Sequence, residues 1–213
     1  MSNKLVDICV NLTDGIFSGK EKTIIDEANK NGVAKMVLVG NDLESSKKVS
    51  KLAEQFNLIS TAGYHPHNAK DWDVKSYNKL LEIIKLEQVK AVGECGLDFN
   101  RNFSTPEIQN IVFLEHITIA KETNLPLFVH ERDAFHQMHS ILKENIDECE
   151  NIVVHCFTGT KNSLIDYLDL GVHIGLTGWV CDDRRGKHLR DFIDIIPDDK
   201  LLIETDSPYL SPY

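Results

Sequence analysis

The chain has 213 residues, 42% hydrophobic and 26% charged, an ordinary globular composition with material for one substantial core. Its formal net charge of −10 repels nucleic acid at long range, so a phosphate-bearing substrate would have to be held by local cations, a metal or backbone donors. No apolar run reaches the length of about 18 residues that a helical membrane span needs, and Met1–Lys4 lead into a strand-like segment without the pattern of a secretory leader. The five cysteines (Cys9, Cys95, Cys149, Cys156, Cys181) form no Cys-x-x-Cys pair. They read as reduced thiols in a cytoplasmic setting, or a nuclear one in a eukaryote, and not as a disulfide framework or a thiolate zinc site.

Taken in order, short β-branched runs alternate with longer amphipathic stretches. Leu5–Val10 reads as a strand, residues 20–31 as a helix capped by Gly32, and Val33–Val39 as a second strand. Val49, Leu52, Ala53 and Phe56 share one helical face, and Leu58–Ala62 forms a third strand before the loop Gly63-Tyr64-His65-Pro66-His67. Leu80, Leu81, Ile83 and Ile84 mark a third helix, and Val89–Gly93 a strand that delivers Glu94 at its end. Thr105-Pro106-Glu107 starts a helix that runs to about residue 122. Strands at Pro126–Val129 and Ile152–Val154 end in His130 and His155, each followed by a helix. Val172–Leu176, a helix over Leu189–Ile196 and a strand at Leu201–Ile203 complete the series.

Eight strands alternating with seven helices, without a glycine-rich phosphate loop after the first, predict a TIM-type (β/α)8 barrel rather than an open doubly wound sheet. No linker, repeat or low-complexity tract divides it, so residues 1–213 are expected to form a single domain. The chain stops at Tyr213, so the helix expected after the eighth strand is missing and the barrel reads as short at its C-terminal end.

The active face of such a barrel is built from its strand C-terminal ends. Asp7 to Asn11, His65, His67, Glu94, His130, His155 and Asp206 all fall there. A lone strand-end histidine is more often a core residue satisfied by backbone. Glu94, His130, His155 and Asp206 at four separate strand ends instead suit a divalent ion with open positions for water and substrate. Asp206 is placed to bind that ion or to take a proton from the water. His116, His136, His139, His173 and His188 have no such placement and are left as surface or core residues. Arg184, Arg185, Lys187 and His188 form a basic patch that reads either as a phosphate contact or as a solvated helix start.

Four ordered stretches resemble the TatD family of metal-dependent deoxyribonucleases, whose barrel is similar to that of the amidohydrolases. They are Gly93-Glu94-Cys95-Gly96-Leu97-Asp98-Phe99, Val154-His155-Cys156-Phe157-Thr158-Gly159-Thr160, Gly175-Leu176-Thr177-Gly178-Trp179-Val180-Cys181-Asp182 and Leu202-Ile203-Glu204-Thr205-Asp206-Ser207-Pro208. The resemblance implies Glu94, His130, His155 and Asp206 as metal ligands. It implies Asp206 also as the base, and His65 and His67 near the substrate phosphate or a metal. Glu94 and His65 are expected to act with Asp206 in catalysis, and Asn11 and Arg101 to contact substrate. Asp98, Arg132 and Asp133 are expected to orient His130 or its neighbours. Many relatives open with Asp-x-His-x-His, whereas Asp7-Ile8-Cys9-Val10-Asn11 has Cys9 and Asn11 at those places, favouring one ion over two.

The implied activity is hydrolysis of DNA phosphodiester bonds, from the 3′ end of single strands, in DNA repair or degradation. The implied cofactor is Mg2+, with Mn2+ or Zn2+ acceptable to the same donors, and a monomer with DNA as its partner is expected. The competing expectations are an amidohydrolase-type hydrolase of a small amide or ester and a catalytically impaired, truncated barrel.

Overall fold

The computed structural model describes residues 4–149 and 151–210. Eight strands run β1 (Leu5–Val10), β2 (Val33–Leu38), β3 (Ile59–Ala62), β4 (Val89–Asp98), β5 (Leu127–Arg132), β6 (Ile152–Val154), β7 (His173–Leu176) and β8 (Leu201–Ile203). They pair in parallel in chain order. The ring closes just past β8. The Asp206 amide donates to the Cys9 carbonyl at 3.0 Å, and the Asn11 amide donates to the Ser207 carbonyl at 2.8 Å. This is the TIM-type barrel that the strand and helix periodicities predict.

The helices α1 (Glu21–Lys30), α2 (Leu43–Phe56), α3 (Ser76–Ile84), α4 (Pro106–Thr123), α5 (Phe135–Asn145) and α6 (Lys161–Asp169) connect the strands on the outside. Their ends are set by local chemistry. The Asp42 carboxylate and Ser45 form a reciprocal cap on α2, Thr160 and Ser163 do the same on α6, and Thr105 with Pro106 starts α4. One apolar cluster lies between β4–β7 and α3–α6, and a second between β1–β3 and α1–α2. No described helix is long and apolar enough to cross a membrane.

Two elements differ from the sequence reading. The stretch expected as a seventh helix is a pair of 3₁₀ turns, Lys187–Asp191 and Ile193–Ile195, separated by Phe192 in an extended φ of −152°. Leu189 and Phe192 are buried at a spacing of three, which a 3₁₀ turn satisfies as well as an α-helix does, and Pro197 ends the segment. The second difference is β4, which does not end at Gly93 but continues to Asp98 and pairs with β5 as far as Arg132. Gly93 and Gly96 do not break the strand. They adopt φ of 144° and 130° and admit the β5 backbone so closely that a Cβ on Gly96 would lie 2.1 Å from the His130 carbonyl oxygen. Beyond β8 no helix occurs among the described residues, and Leu201 and Ile203 remain exposed.

His116 of α4 is a core residue that ties this helix to the loop after β3. Its Nε2 accepts the Tyr64 amide at 2.9 Å, so Nδ1 carries the hydrogen and donates to the Val112 carbonyl at 2.7 Å. Full burial pushes its pKa down to about 4. A folded-state pKa below the unfolded one gives stability that is complete above about 6.5 and is lost as pH falls toward 4. Wild type is therefore expected to exceed His116→Gln in unfolding free energy at pH 7.5, with the gap narrowing by about 3 kcal/mol at pH 4. A gap in urea unfolding that stays constant across that range contradicts this assignment.

Candidate active site

Strand alternation turns Glu94 and Asp98 of β4 to the same face, toward the mouth of the barrel, while β5 brings His130 opposite them. Glu94 is 5% exposed, and its Oε1 meets three imidazole nitrogens: His155 Nε2 at 2.8 Å, His130 Nδ1 at 3.2 Å and His65 Nε2 at 3.3 Å. Burial disfavours its charge, but the positive charge favoured on His155 and the hydrogen bonds from His155 and His130 outweigh that and hold the carboxyl well below the usual range. Burial likewise disfavours charge on His155, yet the carboxylates of Glu94 and Glu204 on its two nitrogens push its pKa well up. His65 is kept neutral by burial, with a pKa lowered to about 4.

Asp98 supports the adjoining wall. One of its oxygens lies 2.7 Å from His67 Nε2, and the other accepts the Asn100 and Arg101 amides at 3.0 and 2.9 Å. His130 Nε2 is 3.4 Å from the same Asp98 oxygen that His67 contacts, an ion-pair distance at which it makes no well-aligned hydrogen bond. Asp133, expected to orient His130 or its neighbours, accepts from Asn100 Nδ2 at 2.7 Å, and the Arg132 side chain lines the cleft.

Asp206 follows β8 with φ of 51° and is fixed by Asn11 Nδ2 at 2.9 Å and the Cys9 thiol at 3.5 Å. Burial raises its pKa to about 6, against the opposing pull of His155. Cys9 is itself pushed up by burial and surrounding carboxylates, so it stays a neutral donor. Asp7 lies outside this group. Its carboxylate accepts from the Thr205 amide and hydroxyl at 2.9 and 2.6 Å and stitches β1 to the segment after β8.

Glu204 has no role in the sequence reading, although it lies inside one of the recognised stretches. Its Oε2 is 3.2 Å from His155 Nδ1, and its Oε1 accepts the Cys156 amide. The available signal was its spacing of two from Asp206, which puts two carboxylates at one strand end. Glu204→Gln is expected to lower Mn2+ affinity and kcat/KM by about 10- to 100-fold, because it loosens the ring that His155 presents to Glu94. Titration calorimetry and initial rates matching wild type within twofold contradict it.

His65, Glu94 and His130 bring ligand atoms within 4.8 Å of one another, and Cys9, His155 and Glu204 form a second such group. Imidazole and carboxylate donors converging on one buried oxygen, with His130 turning Nδ1 toward Glu94, fit a divalent ion. The site forms the floor of an open cleft of about 570 Å³.

The family model for TatD related DNases matches residues 6–213. The chain belongs to this family. The 3′-5′ ssDNA/RNA exonuclease TatD of Escherichia coli K12 is 43% identical over 209 residues, spanning 98% of this chain and 80% of that relative. The exonuclease of the same name from Shigella flexneri is 44% identical over the same share of each chain. Among solved structures, YjjV, a TatD homologue from Escherichia coli K12, superposes with a TM-score of 0.92 at 29% identity, covering 100% of this chain and 83% of its own. A TatD family hydrolase from Entamoeba histolytica gives 0.89 at 27%, covering 99% and 76%. In this TatD-related chain the basic patch is partly neutralised internally, since Arg184 and Arg185 both bind Asp182, at 3.2 and 2.7 Å.

Proposed function

We propose that this chain is a metal-dependent deoxyribonuclease that shortens single-stranded DNA from its 3′ end, with Mg2+ as its ion. The observation that carries the reading is the convergence of three imidazole nitrogens on one buried carboxylate oxygen of Glu94, at the floor of an open cleft, in a member of the TatD family. The names of the exonuclease relatives support the 3′-5′ polarity and the single-stranded substrate.

In this reading Glu94, His130, His155 and Asp206 hold the ion, and His65 stands beside them. When bound, a divalent ion supplies positive charge against the phosphate and acidifies a water. The chain's own residues do the rest. Asp206, with a pKa raised to about 6 by burial, accepts the proton of the attacking water near neutral pH. The water oxygen bonds to phosphorus, the bond to the 3′-oxygen of the preceding nucleotide breaks, and that oxygen leaves as a hydroxyl after taking a proton from solvent in the open cleft, while Asp206 returns its own proton to solvent. Glu204 holds His155 in orientation, while Asp98 holds His67 beside the scissile phosphate. Arg101, at the cleft mouth, meets developing charge. Five unpaired cysteines suit a reducing, cytoplasmic compartment, and the protein acts as a monomer.

The test is digestion of a 5′-labelled single-stranded oligonucleotide with Mg2+, Mn2+ or EDTA. The expected result is a metal-dependent ladder of shortened labelled products that disappears in EDTA. An intact oligonucleotide with every metal, from protein shown to be folded, overturns the reading.

A further inference from the structure

The rim of the cleft is chemically divided. Arg101 follows β4 and Arg132 ends β5, and neither guanidinium has an ion pair or hydrogen bond among the described residues. Across the mouth, on the arc after β7 and β8, the same cleft is lined by Trp179 and Tyr209. Both aromatic side chains are held in place. The Arg185 guanidinium sits 4.5 Å from the Trp179 ring centroid, and Asp182 anchors that guanidinium at 2.7 Å. The Tyr209 hydroxyl donates to Asp14 at 2.6 Å while the residue stays 51% exposed. Tyr209 is exposed and Trp179 is half-buried with one face against Arg185, and immobilised rings of this kind lose little entropy when a flat ligand stacks on the face left free. Base stacking is also indifferent to the −10 net charge that opposes the phosphates.

We infer that the two arcs separate the parts of a single strand: the Trp179–Tyr209 arc is a nucleobase platform, and the Arg101–Arg132 arc takes the phosphates. This rests on the nuclease reading above and gives it a substrate orientation. Trp179, backed by Arg185, is the principal platform.

The test uses oligonucleotides in which one nucleotide at a time lacks its base. Wild type should lose about 5- to 150-fold in kcat/KM when the base at one particular position counted from the 3′ end is removed. Trp179→Ala should lose the same factor on the complete strand and become indifferent to base removal at that position, while Trp179→Phe retains most of the rate. Arg101→Ala and Arg132→Ala should weaken all these strands alike and flatten the salt dependence, by about 0.7 of a unit of slope each. Trp179→Ala within twofold of wild type on the complete strand, or equally sensitive to base removal at every position, overturns the platform.

A second readout needs no turnover. The chain has two tryptophans, so in a Trp72→Phe background Trp179 fluorescence reports alone. In EDTA, a complete strand should quench it and a strand lacking all bases should not. Equal quenching by both, or by neither, overturns the base contact. Base-dependent quenching without cleavage by wild type keeps the platform and removes the nuclease reading, and cleavage without base-dependent quenching does the reverse.

Discussion

Glu94→Gln is expected to lower oligonucleotide turnover on the order of 10³-fold or more while the protein remains folded. The amide preserves the volume of the side chain but removes the negative charge on which His65, His130 and His155 converge within 3.3 Å. It also replaces an acceptor-only group with one that presents N–H donors into the same buried space. Two consequences separate this from general damage. Mn2+ binding should fall with activity, and His155, whose pKa is pushed up by Glu94 and Glu204, should lose part of that shift and titrate lower by NMR. A folded Glu94→Gln that binds Mn2+ and cleaves within tenfold of wild type would remove Glu94 from the centre of the site.

The other large effect is structural. Gly96→Ala is expected to destabilise the barrel by roughly 3 kcal/mol or more, lowering Tm by about 6–12 °C for a chain of this length. The added methyl meets the His130 carbonyl oxygen at 2.1 Å, and the φ of 130° suits no L side chain. Backbone cannot yield there without moving β5, the strand that carries His130, so activity should fall together with stability. Gly171→Ala is the control. Gly171 also has positive φ, at 77°, but nothing lies within 4 Å of its added methyl, and the cost should be about 1 kcal/mol. Equal melting temperatures for the two variants would show that the β4–β5 approach does not require glycine.

The barrel was legible because its signals are local. Buried parallel strands are continuous apolar runs, the helices carry their own caps at Asp42, Thr105 and Thr160, and several strands deliver a polar residue at or just past their ends. Placing those polar residues at one end of a barrel was enough to bring Glu94, His130, His155 and Asp206 under consideration. What remained hidden depends on contacts between strands. Gly93 and Gly96 look like breakers along the chain, and only the nearness of Phe128 and His130 shows that they extend β4. Leu189 and Phe192 fit an α-helix by spacing, but the dihedral change at Phe192 and the stop at Pro197 leave 3₁₀ turns. Glu204 is one acid among many until its oxygens are seen on His155 and Cys156. His65, expected near the substrate phosphate or a metal, joins Glu94 and His130 in one donor group, where the loop after β3 folds inward against His116.

The most direct measurement is anomalous diffraction from crystals soaked in Mn2+, on wild type and Glu94→Gln. The account predicts one strong peak at the cleft floor, in contact with Glu94 and His130, that disappears in the variant. A well-ordered wild-type structure with no ion against Glu94, or a peak that survives its replacement, would contradict a metal centre built on this carboxylate.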